Sequence, residues 1–287
     1  MALWTGRELV EAVLAGQLKS AVDRRHTNLL AVGDEVDTEP GQSNPYRVVS
    51  LRERRTRLER PTNDPRGRTQ VIAANATHVV IVSSIAEPAF RPGLVDRWGL
   101  LARRGGLHPI LCLNKTDLGT AEDVAHALEE AAVPFDHVCV SARAGDGIER
   151  LREILIGTTT VFVGHSGVGK SSLLHALLPD IDAQTGELSV KSGKGKHTTT
   201  SARLYHLPEG GMLIDTPGVR SVSLGRAEAS EVAAVFAEIA DAPPCRFRTC
   251  THRAEPGCSV LEGLESGTVP KIVYHRYRRL LEEVEVP

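Results

Sequence analysis

The sequence predicts an α/β protein whose central domain is a doubly wound parallel sheet. Short β-branched runs alternate with helical patterns from Thr77 onward, which is typical of βαβ units. Strand-like runs separated by Pro, Gly, Ser and Asn precede that region and favour a small all-β unit. A Cys- and His-containing stretch without regular periodicity follows it. We therefore expect three domains, at 1–72, 73–224 and 225–287.

Composition limits the class of protein. The chain has 287 residues, of which 41% are hydrophobic and 24% charged, which excludes wholesale disorder. A net charge of −2 excludes a molecule that attracts nucleic acid as a whole, so such contacts must come from local patches. No apolar run approaches the roughly 18 residues of a membrane span, and Met1 to Ser20 lacks a secretory pattern. We expect a cytoplasmic protein without membrane contact.

The periodicity predicts the elements in chain order. Leu9, Val10, Val13 and Leu14 have helical spacing. The predicted strands are 32–38, 46–51, 78–85, 109–113, 135–140, 159–163, 202–207 and 211–214. The predicted helices are 95–102, 122–131, 148–155, 170–178 and 227–240, the last of which runs towards Pro243 and Pro244.

A glycine-rich loop lies between a predicted strand and a predicted helix. It fits G-x-x-x-x-G-K-[ST], in which backbone N–H groups surround phosphate oxygens, the Lys reaches the β- and γ-phosphates and the hydroxyl binds Mg²⁺. Its residues, with the one that follows, are Gly164, His165, Ser166, Gly167, Val168, Gly169, Lys170, Ser171 and Ser172. Asp215 ends a later strand and precedes Gly218, as expected of a second Mg²⁺-binding carboxylate and a γ-phosphate-sensing Gly.

A second motif predicts which nucleotide base the protein binds. Asn114, Lys115, Thr116 and Asp117 follow a strand and resemble the N-K-x-D motif of GTPases. Guanine has adjacent N–H donors on its N1/N2 edge, and the Asp117 carboxylate can accept both. The resemblance further implies that Asn114 braces the site, that the Lys115 stem covers a ring face, and that the Ser141-Ala142 turn donates a backbone N–H to guanine O6.

The order of these motifs is unusual. In the ordinary GTPase order the phosphate loop comes first, then D-x-x-G, N-K-x-D and S-A. Here the base motif at 114 and the S-A turn at 141 precede the phosphate loop at 164, and D-T-P-G at 215 comes last. We therefore predict a circularly permuted P-loop GTPase domain, which can assemble the same sheet if the original ends lie close together.

Four metal-ligand residue types lie within fourteen residues near the C-terminus: Cys245, Cys250, His252 and Cys258. Three Cys and one His fill a tetrahedral zinc site and leave no open position, which favours a structural role over a catalytic one. The alternative is free thiols beside an unrelated His.

Two segments are locally basic. Residues 47–68 have an excess of five positive charges and residues 245–281 an excess of four. Arg side chains are suited to phosphate contacts, and the small number of aromatic residues favours backbone and shape recognition over base stacking as the main binding mode.

These features together resemble the ribosome small subunit-dependent GTPase A family. The resemblance is carried by the motif order, by Cys-Arg-Phe-x-x-Cys-x-His-x-x-Glu-Pro-Gly-Cys at 245–258, and by the sequences at 68–75 and 195–200. It implies an N-terminal OB-like β-barrel, the permuted domain and a zinc-binding helical domain. It also implies late maturation of the small (30S) ribosomal subunit, with that subunit and its rRNA as partners and stimulators of hydrolysis. The first barrel strands are not evident before residue 25.

The expected chemistry is in-line attack of water on the γ-phosphate of GTP, which gives GDP. We expect the protein to act as a monomer. Lys170, Mg²⁺ and a switch threonine among 198–200, which we take as Thr199, would surround the nucleotide. Val219 stands where many GTPases have a water-orienting Gln, so His197 or the partner must supply that group. The open alternatives are an RNA-binding module whose hydrolysis is incidental and an enzyme that uses ATP.

Overall fold

The described N-terminal part of the chain consists mainly of β-strands. A computed structural model describes residues 1–16, 18, 25–39, 45–62, 64–179, 202–216 and 222–285. The first six strands are β1 (Ala2–Trp4), β2 (Leu9–Leu14), β3 (Val36–Thr38), β4 (Tyr46–Leu51), β5 (Arg57–Pro61) and β6 (Thr69–Ala74). Four of them form a sheet in the order β1-β2-β4-β3, and β5 pairs with β6 as a hairpin. Bridges from His26 to Thr69 and from Val32 to Ala73 link the hairpin to the chain before it. The unit is a curled, OB-like half-barrel.

The helix predicted around Leu9 to Leu14 is wrong, because this segment is strand β2. It pairs antiparallel with β1 and parallel with β4, so both of its edges have partners. Its side chains alternate: Ala12 is buried, whereas Glu11 and Val13 on either side are exposed. Strands β1 and β2 therefore supply the barrel strands that the sequence pattern did not reveal.

The central sheet has six strands. They are β7 (His78–Ser84), β8 (His108–Asn114), β9 (His137–Cys139), β10 (Thr159–Gly164), β11 (Arg203–His206) and β12 (Met212–Asp215). Their order is β11-β12-β10-β7-β8-β9, and every neighbouring pair is parallel except β11 with β12. All six predicted strands are confirmed, although 135–140 is shortened. Residues 79–82 are at most 2% exposed, as expected of a strand covered on both faces.

Helices cover both faces of this sheet. They are α1 (Pro92–Arg104), α2 (Ala121–Ala131), α3 (Ile148–Leu155) and α4 (Lys170–Leu177). Trp98 of α1 belongs to the hydrophobic cluster on one face, and Leu151 of α3 and Leu173 of α4 belong to the cluster on the other. The domain is therefore doubly wound, as predicted.

The C-terminal part is helical. Its helices are α5 (Ala229–Ala233), α6 (Ala237–Ala240), α7 (Ser259–Ser266) and α8 (Lys271–Glu285). The prediction of one helix over 227–240 is wrong, because the chain becomes extended at Phe236, with φ −119° and ψ 110°. This break places Phe236 in the core, where its ring packs edge-on against Tyr277 at 6.1 Å between centroids.

The last helix is attached to the central domain by buried charge. Nε of Arg276 donates to Asp96 of α1 at 3.1 Å, and its Nη1 donates to the backbone oxygen of Glu130 at 2.8 Å. Arg97 and Glu283 form a second, bidentate pair at 2.7 and 2.6 Å. The C-terminal helices therefore pack directly on the central domain.

Strand β6 continues to Ala74, two residues past the first predicted boundary. The limits at 72 and 224 stay predictions. In the part of the chain that the structure describes, no helix combines the length and the apolar character needed to cross a bilayer.

Candidate functional site

The predicted site residues meet at one edge of the central sheet. In the strand register, Gly164 lies opposite Val82, Ser84 opposite Asn114, and Phe162 opposite Asp215. Because these strands are parallel, the loops after β10, β8 and β12 leave the same edge. The chain order therefore does not separate the base motif from the phosphate loop.

The Asn114 side chain joins three loops. Its Nδ2 donates to the backbone oxygen of Val168 at 2.9 Å, and its Oδ1 accepts from the backbone N–H of Ala142 at 3.1 Å. Asn114 is 1% exposed, so both bonds are shielded from water. One amide thus fixes the base motif, the phosphate loop and the S-A turn relative to one another.

This contact explains the glycine before Lys170. Gly169 has φ +95° and precedes the first residue of helix α4. A Cβ added there would lie 2.3 Å from Nδ2 of Asn114. Both the left-handed backbone and the close approach therefore require glycine at this position.

The base motif forms a tight turn. The backbone N–H of Thr116 donates to the backbone oxygen of Val140 at 3.2 Å, and the Lys115 ammonium donates to the backbone oxygen of Glu87. Oδ1 of Asp117 accepts from the Ser141 hydroxyl at 2.6 Å. Ser141 is fully buried while Asp117 is exposed, so the hydroxyl orients a carboxylate that faces outward.

A cavity of about 430 Å³ opens beside the phosphate loop. It is lined by Lys115, His165, Ser166, Gly167, Gly169, Lys170, Ser171, Ser172, Asp215 and Thr216. Asn114 and Val168 do not line the cavity but are buried and bonded to each other. Asp117, Ser141 and Ala142 continue the edge on the side of the base motif. Gly164 ends the strand that leads into the loop, and Thr116 belongs to the base turn.

Two charged side chains of opposite sign line the cavity. Lys170 is 9% exposed and its Nζ donates to the Gly164 oxygen at 2.9 Å. Burial lowers the pKa of Lys170, and the charge of Asp215 opposes this shift. Burial likewise raises the pKa of Asp215, against the attraction of Lys170 and Arg203. The same cavity is thus lined by a desolvated cation and a desolvated anion, which are the groups expected to hold phosphate and a hard metal ion.

Sequence reasoning missed two contributors. Thr216 is 1% exposed and donates its hydroxyl to the Phe162 oxygen at 2.7 Å, which fixes the chain directly after Asp215. Pro88 lies 3.6 Å from the position of a Cβ on Gly167, so the loop after β7 flanks the phosphate loop. Thr216 could have been noticed inside D-T-P-G, whereas the Pro88 loop carries no motif.

Three predicted residues lie outside the described part of the chain. They are His197, Thr199 and Gly218, together with the switch stretch 198–200 and Val219.

The predicted metal ligands come together. One ligand atom from each of Cys245, Cys250, His252 and Cys258 lies within 4.8 Å of the others. Nδ1 of His252 is 3.5 Å from the Cys245 sulfur and 3.3 Å from that of Cys258, and these two sulfurs are 3.8 Å apart. Three thiols and an imidazole at these separations fit a closed tetrahedral zinc site.

The surrounding hydrogen bonds hold this loop on the last helix. The hydroxyl of Tyr274 donates to the His252 oxygen at 2.8 Å, and that of Tyr277 to the Thr251 oxygen at 3.0 Å. The Glu255 carboxylate accepts from the N–H and the hydroxyl of Thr251, both at 2.7 Å. The ligand loop is therefore braced by contacts outside the ligands themselves.

A family model described as RsgA GTPase matches residues 51–225. The chain belongs to the RsgA GTPase family. Membership makes it a GTP hydrolase, for which GTP, GDP and Mg²⁺ are the implied ligands.

Named relatives of this RsgA family chain cover almost all of it. A protein of Azotobacter vinelandii named "Small ribosomal subunit biogenesis GTPase RsgA" is 40% identical, over 98% of this chain and 82% of its own length. A protein of Pseudomonas fluorescens with the same name is 42% identical, over 96% and 80%.

Solved structures agree with the fold. YjeQ from Thermotoga maritima superposes with a TM-score of 0.75 at 28% identity, covering 96% of this chain and 90% of its own. YloQ, described as a circularly permuted GTPase, gives 0.69 at 26% identity, covering 97% and 87%. The predicted circular permutation of this RsgA family member is thereby confirmed.

Proposed function

We propose that this protein hydrolyses GTP in the biogenesis of the small ribosomal subunit, and that the subunit stimulates the hydrolysis. The observation that carries the nucleotide part is the pair of Asn114 hydrogen bonds, which unite a base motif and a phosphate loop that the chain order reverses. The ribosomal part is supported by the names of the relatives that match nearly the whole chain.

Guanine recognition is assigned to Asp117. Its Oδ1 is held by the Ser141 hydroxyl, which leaves the carboxylate pointing outward beside the cavity. The two N–H groups of the guanine edge bind there, the Lys115 stem lies against a ring face, and the Ala142 turn provides the backbone N–H for O6. Adenine lacks the donor pair, so the site selects GTP over ATP.

The triphosphate is assigned to the loop Gly164 to Ser171. Its backbone N–H groups and the start of helix α4 face the cavity, and the Lys170 ammonium exchanges its bond to Gly164 for phosphate oxygens. Ser171 and Asp215 line the same cavity and offer the hard oxygen donors that Mg²⁺ prefers. Bound there, Mg²⁺ would neutralise charge that develops on the phosphates.

Hydrolysis requires a positioned water. We assign closure over the nucleotide to Thr199 and γ-phosphate sensing to Gly218. With Val219 in place of a polar residue, intrinsic turnover is slow, and His197 or a group of the partner orients the water. In other GTPases an arginine from a partner contributes about 10³ to 10⁵ in rate.

The zinc site serves structure. Cys245, Cys250, His252 and Cys258 occupy all four positions of a tetrahedral ion and leave none for substrate. Zinc bound there supplies folding energy to a loop with little apolar content. The protein is proposed to act in the cytoplasm as a monomer, with rRNA of the small subunit as its nucleic-acid partner.

The test is the GTPase rate with and without purified small ribosomal subunits. We expect a large stimulation that falls as salt is raised, because screened arginines release the RNA phosphates. If added subunits leave the GTPase rate unchanged at every salt concentration, in a preparation that binds GTP, only the ribosomal part of the proposal is rejected. Failure to bind guanine nucleotides would reject the nucleotide part.

A further inference from the structure

The two basic segments differ in how much of their charge is available. Most arginines of the N-terminal segment are paired with carboxylates of the same unit. The pairs are Arg47 with Glu39, Arg52 with Asp37, Arg54 with Asp34, Arg55 with Glu35, Arg57 with Glu59, and Arg68 with Asp64. The excess positive charge counted over 47–68 is therefore largely neutralised by acids, several of which lie just before that segment.

The metal-ligand loop is different. Arg246, Phe247, Arg248 and Thr249 are all exposed and lie between the ligands Cys245 and Cys250. Among the described residues, neither Arg246 nor Arg248 forms an ion pair. Glu255, the first acid after the tip in the sequence, accepts hydrogen bonds from Thr251 and from backbone N–H groups of its own loop. The tip of this loop is thus a small surface with unneutralised positive charge.

An aromatic ring stands in the middle of that tip. Phe247 is 44% exposed, which is unusual for an apolar side chain of its size, and the Arg246 guanidinium carbon lies 5.5 Å from its ring centroid. The cation therefore covers one face of the ring by a cation–π contact. Arg248, which follows Phe247 in the chain, is exposed as well.

The tip is also preorganised. The backbone N–H of Cys250 donates to the Phe247 oxygen at 3.1 Å and closes a turn, and that of Arg246 donates to the Gly257 oxygen at 3.0 Å. An aromatic ring carried on such a closed turn, with an arginine on each side in the sequence, loses little entropy when a flat ligand stacks on it. RNA combines the two groups that this tip fits, a flat base and a charged phosphate.

We infer that Phe247 stacks on an unpaired base of ribosomal RNA while Arg246 and Arg248 contact the adjoining phosphates. This inference rests on the proposed function and adds to it a specific recognition residue. It also refines the expectation from composition: base stacking is not the main binding mode of the chain, but one stacking contact is built at this tip.

The experiment compares substitutions that separate stacking from simple apolarity. Full-length protein with a non-hydrolysable GTP analogue is titrated against isolated small ribosomal subunits. Phe247→Leu keeps an apolar side chain without a π face, and Phe247→Trp keeps the face. We expect Phe247→Leu to weaken binding about 5- to 150-fold and Phe247→Trp to stay within about 2-fold of wild type.

The matched control is Ile272→Ala. Ile272 is equally exposed at 44% and lies in the same C-terminal domain. It belongs to helix α8, however, and not to the turn that carries Arg246 and Arg248. It should bind as wild type does. Zinc content and basal GTPase rate are measured for every variant, and both should be unchanged because Phe247 is neither a ligand nor part of the nucleotide cavity.

The outcomes separate the hypotheses. Wild-type affinity in Phe247→Leu would overturn the stacking inference while leaving the proposed function standing. A further variant, Phe247→Ala, removes the side chain beyond Cβ. Loss of binding in Phe247→Ala with full binding in Phe247→Leu would also overturn the inference, because it would indicate an apolar protein partner. A wild-type protein that does not bind small subunits would overturn both.

Salt dependence tests the phosphate contacts independently. Arg248→Gln should lower the slope of log affinity against log salt by about 1, because one phosphate contact is lost. Arg248→Lys keeps the charge and should keep the slope. Equal slopes for Arg248→Gln and wild type would contradict the assignment of Arg248 to a phosphate.

Discussion

The side-chain amide of Asn114 donates a 2.9 Å hydrogen bond to the backbone oxygen of Val168, a residue 54 positions later in the chain. The bond crosses from the last residue of β8 to the loop after β10, past the intervening strand β7. It shows how a base motif that precedes its phosphate loop can still form one pocket with it.

Substitution of Gly169 tests this contact. Gly169→Ala would place a Cβ 2.3 Å from Nδ2 of Asn114 and also strain the backbone at φ +95°. Displacing Asn114 would leave buried groups without hydrogen bonds, at about 1–3 kcal/mol, so we expect GDP affinity to fall about 5- to 150-fold. Titration with a fluorescent GDP analogue measures this.

Gly210→Ala is the matched control. Gly210 has φ +96°, but an added Cβ there meets no described atom within 4 Å. It should cost only the strain of a left-handed residue, about 1–2 kcal/mol of folding stability, with GDP affinity unchanged. Equal nucleotide affinity in the two variants would show that the contact with Asn114 is unimportant.

Substitution of Asp117 tests the choice of base. Asp117→Asn replaces one acceptor oxygen by an NH₂ donor. That donor would then oppose an N–H donor on the guanine edge. The loss of charge-assisted bonds, about 1.5–3 kcal/mol, should weaken GTP about 10- to 150-fold and favour xanthosine triphosphate, whose edge has an acceptor there. Competition binding of GTP, XTP and ATP decides it, and an unaltered order of preference would refute the assignment.

Substitution of Arg276 tests the attachment of the last helix. Arg276→Ala leaves Asp96, which is 2% exposed, without its cation, and removes the donor to the Glu130 oxygen. Such a buried, unpaired charge costs about 3–5 kcal/mol. Arg279→Ala is the control on the same helix: its side chain is 73% exposed, and its ion pair with Glu283 should contribute less than about 1 kcal/mol. Urea unfolding of both variants gives the comparison, and similar losses would contradict the prediction.

Removal of a metal ligand tests the zinc site. Wild-type protein should contain one zinc per chain, and Cys258→Ser should lose it and unfold the ligand loop, because metal binding supplies its folding energy. Cys139→Ser, which alters a partly buried thiol in strand β9, should keep the zinc. Elemental analysis together with proteolysis near residue 250 measures both effects. Full zinc content in Cys258→Ser would exclude this cluster.

Trp4 offers a spectroscopic test of coupling between the N-terminal unit and the nucleotide. The centroid of its ring lies 4.2 Å from the ring centroid of His206 in strand β11. In the sequence, β11 follows the stretch that contains the predicted switch threonine. Exchange of GDP for a non-hydrolysable GTP analogue should therefore change Trp4 fluorescence. Trp98 is 1% exposed in the core and should contribute a constant signal. A change that persists in Trp4→Phe would place its origin elsewhere.

The sequence was sufficient where the chemistry depends on local spacing. The loop Gly164 to Ser171, the turn at Asn114 and the ligands around Cys245 each lie within a few residues, and each directly follows or forms a recognisable element. Their convergence was also predictable, since the carboxyl ends of neighbouring parallel strands share one edge.

The sequence was insufficient where pairing partners are distant. The apolar spacing of Leu9 to Leu14 fits a helix, yet β2 is extended because β4, which begins more than 30 residues later, pairs with it. The break at Phe236 similarly depends on the ring of Tyr277. The ion pairs of the arginines in 47–68 could not be predicted for the same reason. A charge count along the chain ignores carboxylates that come close to these arginines only in the folded structure.

The position of the phosphate loop after the base motif affects how the protein is made. Strands β7, β8 and β9, with both loops that we propose contact the base, are synthesised before Gly164. At about 5–20 residues per second, the phosphate loop follows the S-A turn by roughly 1–6 seconds of translation. Under the proposed assignment, a nascent chain therefore carries the half that reads guanine without the half that holds the triphosphate, and GTP is captured only after β10 has added to the free edge of β7.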